Sequence, residues 1–133
     1  MASGIYNRFK ANMMNKVVDL EADTVKVSLY DNSHSFTAGD TTYTTTNELA
    51  TAGGYTQGGA TLASKSVTEA ATTKWDATDS AWTSATFTAY HAVIYDSTAS
   101  SNLICSFDFG GAQTVTGGTF TIQWNAAGII TLA

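Results

Sequence analysis

Two histidines, His34 and His91, are the side chains of this sequence best suited to acid–base chemistry near neutral pH. His34 lies in a polar stretch between two serines, and His91 lies in an alternating segment typical of a strand. No Gly-x-Ser-x-Gly motif accompanies either histidine, so a nucleophile elbow is not indicated. We therefore expect that the protein is not an enzyme.

The acidic residues are the next candidates for chemistry. The three glutamates are far apart in the sequence, and most aspartates fall where strands are predicted to end, so a glycosidase carboxylate pair is not favoured. Asp76 and Asp79 alternate with other oxygen-bearing residues, as in a calcium loop, but the glycine and the bidentate glutamate of such a loop are missing. A β-turn explains this segment more simply. We expect no metal site and no cofactor.

The only cysteine, Cys105, rules out an intrachain disulfide and a cysteine-rich zinc site. It alternates with Leu103 and Phe107, so the sequence predicts that all three side chains share one buried face. A buried thiol behaves as a small apolar group with a raised pKa. We therefore expect Cys105 to react slowly with thiol reagents and not to cross-link subunits.

Aromatic side chains could provide a stacking surface for a sugar. The candidates are Tyr43, Tyr55, Trp75, Trp82 and Tyr90. Cross-strand packing is the more ordinary use of such residues. The pattern leaves both interpretations open, and the first one makes a carbohydrate-binding adhesin domain an alternative function.

The composition of the 133 residues indicates the fold that must position these side chains. Thr, Ala, Ser and Gly make up half of the chain, charged residues only 13%, and proline is absent. Threonine suits a pleated, half-exposed strand surface, whereas the polar residues that build helix surfaces are scarce here. We predict one domain over residues 1–133: an antiparallel β-sandwich or small barrel of about seven strands, preceded by one N-terminal α-helix.

The predicted helix covers residues 4–18, and the β domain begins near residue 24. Ile5, Phe9, Met13 and Val17 recur every four residues, and Ser3 is an acceptable N-cap. The stripe is narrow, so we expect the helix to matter more for assembly than for folding. The helix residues predicted to contact a neighbouring subunit are Ile5, Tyr6, Arg8, Phe9, Lys10 and Met13.

Alternating apolar residues predict the strands. Val25, Val27 and Leu29 face one way in a half-buried strand, and residues 33–59 read as a long loop that could form a second contact element. A change of parity near Tyr90 indicates a bulge, and Gly110–Gly111 is predicted to end the strand that begins at residue 103. Residues 119–124 and 129–132 flank a short glycine-containing turn and predict a hairpin.

The charge distribution limits the partners that this chain can bind. The net charge is −5, which argues against general nucleic-acid binding and against an anionic membrane surface. All six basic residues lie at or before Lys74, so the C-terminal half is almost neutral and rich in hydroxyl groups. Assembly that covers part of this surface is one explanation, and solvation by hydroxyl groups is the other.

Several segments resemble a group of small tailed-bacteriophage virion proteins. They are MASGIYNRFKAN at residues 1–12 with its continuation to residue 27, AVIYD at 92–96, FDFGG at 107–111 and GGTFTIQW at 117–124. The resemblance spans nearly the whole chain and contains no catalytic motif. It implies a structural component of the particle, with a capsid decoration (cement) protein as the best assignment.

The resemblance also implies partners and a location. The partners are the major capsid protein or other virion proteins, together with further copies of this chain in a homo-oligomer, and the location is the virion, assembled in the host bacterial cytoplasm. A head–tail connector, tail or fibre component is the alternative virion role. Beside the helix residues, the predicted interface includes Tyr43, Tyr55, Trp75 and Trp82.

Overall fold

The computed structural model describes residues 3–133 and shows a mostly-β fold with one short helix, as predicted. The elements in chain order are β1 (Gly4–Ile5), α1 (Asn7–Met14), β2 (Val25–Tyr30), β3 (Ala60–Thr61), β4 (Ser66–Thr68), β5 (Thr73–Asp76), β6 (Ser80–Asp96), β7 (Asn102–Ile122) and β8 (Ile130–Leu132). The eight strands are one more than the sequence indicated.

The strands form two antiparallel sheets. The large sheet has the order β1-β7-β6-β2-β3, and the small sheet has the order β4-β5-β8. The large sheet begins and ends with a two-residue strand, so it is open and does not close into a barrel. Val27 and Ile94 of the large sheet and Trp75 of the small sheet belong to one hydrophobic core.

The helix is shorter than predicted. Residues Gly4–Ile5 pair with β7, so the chain reaches the first helical residue as a strand. Ser3 is not the N-cap: its Oγ accepts a hydrogen bond from the Asp108 N–H (2.8 Å), and Tyr6 occupies the N-cap position. The helix ends at Met14, and Lys16 adopts a φ of +59°, which a continuing helix does not allow, so the helix does not reach residue 18.

The predicted C-terminal hairpin is wrong, although its turn exists. The Gly128 N–H donates to the Asn125 carbonyl (2.8 Å), as a tight turn requires. The end of β7 pairs with β6, whereas β8 pairs with β5 of the other sheet. The turn therefore carries the chain from one sheet to the other, because β5 offers β8 an unpaired edge.

β7 continues through Gly110–Gly111 instead of ending there. Both glycines have positive φ, which costs a residue without Cβ little, and they lie where four β7 residues face a single β6 residue. The predicted irregularity near Tyr90 is confirmed as a register shift between Ala89 and His91. The paired β6 and β7 strands are thus long but interrupted.

Both faces of β2 are covered, so the prediction of a half-buried strand is wrong. Val25, Val27 and Leu29 face the hydrophobic core as predicted, but Ser28 and Tyr30 on the other face are also buried. The second face carries a separate cluster, which we call the tyrosine layer. It consists of Tyr6, Tyr30, Val93, Tyr95 and Leu103, with Phe36 and Tyr43 packed against them.

Cys105 is buried in the hydrophobic core, as predicted. Its expected alignment with Leu103 is wrong, because Ile94 pairs with Cys105 and Tyr95 pairs with Leu103, which leaves Ile104 as an extra residue in β7. This bulge turns Leu103 to the opposite face of the sheet, into the tyrosine layer. Phe107 packs against the same core as Cys105.

Candidate functional site

An apolar groove of about 540 Å³ lies between the helix region and the small sheet. Its walls come from α1, from the segment that follows α1, and from all three strands of the small sheet. The apolar residues that line it are Phe9, Met13, Val17, Val18, Leu20, Val67, Trp75, Ile130 and Leu132. We call this feature the apolar groove.

The pairing register of the small sheet explains the floor of the groove. Val67, Trp75 and Ile130 lie directly opposite one another across β4, β5 and β8. Residues paired in this way project from the same face of a sheet, so three apolar side chains form one row. The Trp75 indole N–H donates to the Leu20 carbonyl (3.0 Å), which holds the segment after α1 across this face.

Several side chains of the groove remain exposed. Met13 is 40% exposed, Val17 48%, Val67 43% and Leu132 61%, and together they are four of the six large apolar side chains that are exposed within residues 3–133. Scattered exposed apolar residues are ordinary, but their convergence at one groove is typical of a protein-interaction surface. The groove is therefore the strongest candidate for a contact surface.

The charged residues that line the groove balance each other. They are Lys16, Asp19, Asp23 and Lys74, two of each sign. The Glu21 and Ala22 N–H groups donate to the Asp19 carboxylate and lower the pKa of that carboxyl. A partner in this groove therefore meets a neutral rim around an apolar floor.

The outer side of α1 is a second exposed feature. Arg8, Lys10 and Met14 are exposed, Met14 by 86%, and no acidic residue occurs between Asn7 and Lys16. This segment is therefore locally basic in a chain whose net charge is −5. A basic, methionine-bearing helix surface is suited to an acidic protein partner.

The structure separates the predicted contact residues into two groups. Ile5, Arg8, Lys10 and Met13 are exposed, Ile5 by 37%. Five further residues that were predicted to be exposed for contact are instead buried: Tyr6, Phe9, Tyr55, Trp75 and Trp82. They are covered because the N-terminal segment and the aromatic rings pack against the two faces of the large sheet. Phe9 and Trp75 reach the apolar groove only as part of its lining.

Tyr43 is half-buried and stacks on Tyr95 with ring centroids 4.3 Å apart. Its hydroxyl donates to the buried Glu48 carboxylate, which also accepts hydrogen bonds from the Tyr55 hydroxyl (2.6 Å) and the Gly58 N–H (2.8 Å). The sequence analysis missed this network, since a glutamate in a loop is usually solvated. Glu48 here ties residues 43–58 together and is not free to bind a ligand.

The two histidines meet in the tyrosine layer. Their ring centroids are 5.1 Å apart, the His34 Nε2 lies 3.4 Å from the Ser106 Oγ, and the His91 Nδ1 lies 3.9 Å from an Asp108 carboxylate oxygen. Burial lowers the pKa of both histidines; the neighbouring His91 lowers the pKa of His34 further, whereas the Asp108 carboxylate opposes the lowering at His91. Ser106 is only 1% exposed, so its hydroxyl is not presented to a substrate.

A second cavity, of about 470 Å³, opens beside β7. Its aromatic lining consists of Phe107, Phe109, Phe120 and Trp124, and we call it the aromatic cleft. The Trp124 side chain is buried, and its indole nitrogen has no hydrogen-bond partner among the described residues. None of the predicted stacking residues lines this cleft.

Other kinds of site find no support in the described part of the chain. No group of three or more His, Cys, Asp or Glu side chains is arranged to hold a metal ion within residues 3–133. None of the helical segments described there has the length and apolar character needed to span a membrane. Comparison with protein-family models, curated proteins and solved structures finds no match to this chain.

Proposed function

We propose that the protein is a structural component of a bacteriophage particle, most simply a capsid decoration protein that stabilises the shell through contacts with major capsid protein subunits. The observation that carries the proposal is the apolar groove, where Met13, Val17, Val67 and Leu132 converge and remain exposed. Such a surface serves association with other protein chains. The resemblance of the segments quoted above supplies the virion context.

The arrangement of polar groups agrees with a contact role. Cys105 and Ser106, the serine beside His34, are both buried, and the Glu48 carboxylate accepts hydrogen bonds from three donors. A shell protein needs no reactive group, because many weak contacts repeated over the particle produce its effect. The proposal therefore assigns no catalytic activity to this chain.

The outer side of α1 is the surface that we assign to the capsid. Arg8 and Lys10 are exposed there, and the segment lacks acidic residues. An acidic patch on the capsid subunit would complement it, and a charge-assisted contact of this kind weakens as salt is raised. This assignment retains Arg8 and Lys10 from the sequence-predicted interface.

The number of copies in purified particles tests the virion role. Quantitative mass spectrometry of the phage that encodes this chain should find on the order of hundreds of copies for a decoration protein that follows the symmetry of the shell. About a dozen copies or fewer would instead indicate the alternative role, a head–tail connector, tail or fibre component. Absence from the particle would overturn both roles.

A charge reversal on α1 tests the capsid surface. Particles that lack the protein would be mixed with the purified chain, and bound protein would be measured at low and high salt. We expect Arg8→Glu with Lys10→Glu to lower binding at least tenfold and to reduce its salt dependence. Lys65→Glu, which changes a basic residue outside α1, is the matched control and should bind normally. Equal binding by both variants would contradict the assignment.

The carbohydrate-binding alternative loses three of its five predicted stacking residues. Trp75 and Trp82 are 3% and 7% exposed, and Tyr55 is 1% exposed, so these rings do not form an open stacking surface. A sugar would have to enter the aromatic cleft instead. Glycan binding by the isolated chain that is lost on Phe109→Ala would revive this alternative against the virion role.

A further inference from the structure

Sheet edges carry unpaired backbone N–H and C=O groups, which can pair with another chain unless the edge is protected. Most edges in this molecule are protected. The large sheet ends in β1 and β3, which have two residues each, and the free part of β7 is interrupted by Gly110, Gly111 and Gly117, all at positive φ. Short strands and bulges both hinder the addition of a further strand.

The remaining stretch of β6, beyond the end of β2, is broken by register shifts between Trp82 and Phe87 and is contacted by the long loop at Thr86. The Thr86 N–H donates to the Gly53 carbonyl of the long loop (2.8 Å). At the outer edge of the small sheet, β4 is flanked by Lys65 and Glu69. Charged residues at an edge discourage pairing with a second strand.

β8 lacks these forms of protection. Residues 129–133 contain no charged side chain, no proline and no glycine, and β8 pairs only with β5 within the part of the chain that the structure describes. Thr131 and Leu132 are exposed, Leu132 by 61%. This edge therefore combines unpaired backbone groups with an exposed apolar side chain.

The apolar groove meets the same edge. Ile130 and Leu132 line the groove together with Val67 and Trp75, so the apolar floor extends to β8 and stops there. A strand added beside β8 would continue this floor and cover Leu132. A three-residue ladder is weak by itself, and the apolar side chains would supply most of the affinity.

We propose that β8 is a self-association edge, at which two copies of this chain pair their β8 strands antiparallel about a two-fold axis. The two small sheets then form one six-stranded sheet in the order β4-β5-β8-β8-β5-β4. A second copy fits this edge, since antiparallel self-pairing sets the exposed Leu132 of each chain beside Ile130 of the other. The uncharged strand and the balanced charges of the groove lining bring no net like charge together there, although each chain carries −5. Such a contact is isologous and closed, as most homo-oligomer interfaces are.

The pairing is centred on Thr131. The Leu132 side chain of each copy then lies near the Ile130 side chain of the other, on the face that carries the groove. The outer side of α1, assigned above to the capsid, is not part of this contact. The inference concerns the isolated protein, so it stands or fails independently of the virion role.

Sedimentation of the full chain tests the proposal over about 1–200 μM, the range in which a small interface associates. We expect a concentration-dependent dimer, and at least a tenfold higher dissociation constant for Leu132→Lys, which places a charge at the edge. Met14→Lys is the matched control, since Met14 is 86% exposed but does not line the groove. A wild-type monomer throughout, or equal weakening by both variants, would overturn the proposal.

Cross-linking supplies a second measurement that does not depend on weakening the contact. Opposite residues at the centre of an antiparallel pair bring their Cβ atoms within reach of a disulfide. Thr131→Cys should therefore give a disulfide-linked dimer under mild oxidation, whereas Val67→Cys, on the protected β4 edge, should not. Native Cys105 is buried and does not compete. Dimers from Val67→Cys alone would place the contact elsewhere and refute the pairing of β8.

Discussion

The two faces of the large sheet are stabilised by different means, and Ile94 and Tyr95 of β6 show the contrast. Ile94 is fully buried in the hydrophobic core, where shape and apolar area stabilise the packing. Tyr95 is 3% exposed on the opposite face, and its hydroxyl donates to the Gly58 carbonyl (2.5 Å). Adjacent residues thus serve an apolar core and a hydrogen-bonded layer.

The tyrosine layer holds a long loop that has little regular structure of its own. The Tyr30 hydroxyl donates to the Thr44 carbonyl (2.7 Å). The loop residue Tyr55 instead inserts into the hydrophobic core, where its hydroxyl accepts from the Leu29 N–H (2.9 Å). Burial raises the pKa of Tyr6 and of Tyr95 to about 12, so both hydroxyls stay protonated at neutral pH. Side chains of the sheet thus add to the few backbone hydrogen bonds that hold this loop, such as the one from the Leu49 N–H to the Leu29 carbonyl (3.0 Å).

Loss of the N-terminal segment should have the largest effect, because it contributes to both faces. Tyr6 belongs to the tyrosine layer and Phe9 to the hydrophobic core, and each is at most 2% exposed. Deleting residues 1–9 should therefore abolish the cooperative thermal transition, measured by circular dichroism. This reverses the expectation from the sequence that the helix matters mainly for assembly. A folded, cooperative truncated chain would restore that expectation.

Paired substitutions at Ile94 and Tyr95 compare the faces directly. Ile94→Ala should lower the free energy of unfolding by about 3 kcal/mol through lost apolar contact and a cavity. Tyr95→Phe removes one hydrogen bond and should cost about 1 kcal/mol. Urea titration measures both values, and Val67→Ala on the exposed β4 strand is a control with little expected change. Equal costs at the two positions would show that the faces do not differ in this way.

Glu48→Gln tests whether the hydrogen-bonded layer depends on a charged acceptor. The carboxylate accepts from Tyr43, Tyr55 and Gly58, and an amide replaces one of its oxygens with a donor. The expected cost is about 2 kcal/mol, since bonds to a charged group are the stronger ones. The exposed Glu69→Gln is the matched control and should be neutral. Hydrogen exchange should show the faster opening confined to residues 43–58.

Cys105→Ala should cost about 1 kcal/mol, because it removes one sulfur atom from the core. Burial raises the pKa of the Cys105 thiol, so little thiolate is present at neutral pH. Labelling of the native protein with a thiol reagent should therefore be much slower than labelling in denaturant. Rapid native labelling would place the thiol at the surface and reverse the facing of β7 at this point.

The two faces should also respond to pH in opposite directions. Burial lowers the pKa values of His34 and His91. The contribution of the two neutral rings to the free energy of unfolding is therefore complete above about pH 6.5 and is lost as the pH falls below it. Burial and the nearby Asp23 carboxylate raise the pKa of Asp96, beside the core, to about 7. The contribution of protonated Asp96 to the free energy of unfolding is complete below about pH 4 and is lost as the pH rises through about 7.

These two tendencies offset each other, so the melting temperature of the wild type should change by only about 2 °C between pH 5.5 and pH 7.5. His34→Gln should reduce the loss of stability on the acid side, to which His91 still contributes, and Asp96→Asn should remove the loss on the alkaline side. Thermal melts at three pH values measure these slopes. The same slope in both variants would refute the assignment of the titrating groups to the two faces.

Local patterns in the sequence predicted the secondary structure of several segments correctly. The alternation of Val25, Val27 and Leu29 identified β2 and its core face, and the change of parity near Tyr90 located a register shift between β6 and β7. Composition indicated a mostly-β chain with one helix. These features follow from side-chain direction and turn chemistry within a few residues, which the sequence alone contains.

The candidate site was predicted only in part. Met13 was identified from its helical spacing, whereas Val67 and Leu132 were not, because their exposure depends on how far α1 extends over the small sheet. Tyr55, Trp75 and Trp82, which were proposed for binding, are buried because their rings pack in the hydrophobic core. Periodicity shows which residues share a face, but not what covers that face.

By itself, the sequence determined that this chain forms antiparallel strands with one short helix, that a turn precedes the last strand, and that Cys105 is buried. Only the tertiary structure decided which strands pair, as when residues after Gly128 joined β5 instead of returning along β7. It also decided that Leu103 lies in the tyrosine layer, through a one-residue bulge at Ile104. The reason is physical: alternation sets the local direction of side chains, whereas strand partners are chosen by the burial of residues far apart in the chain.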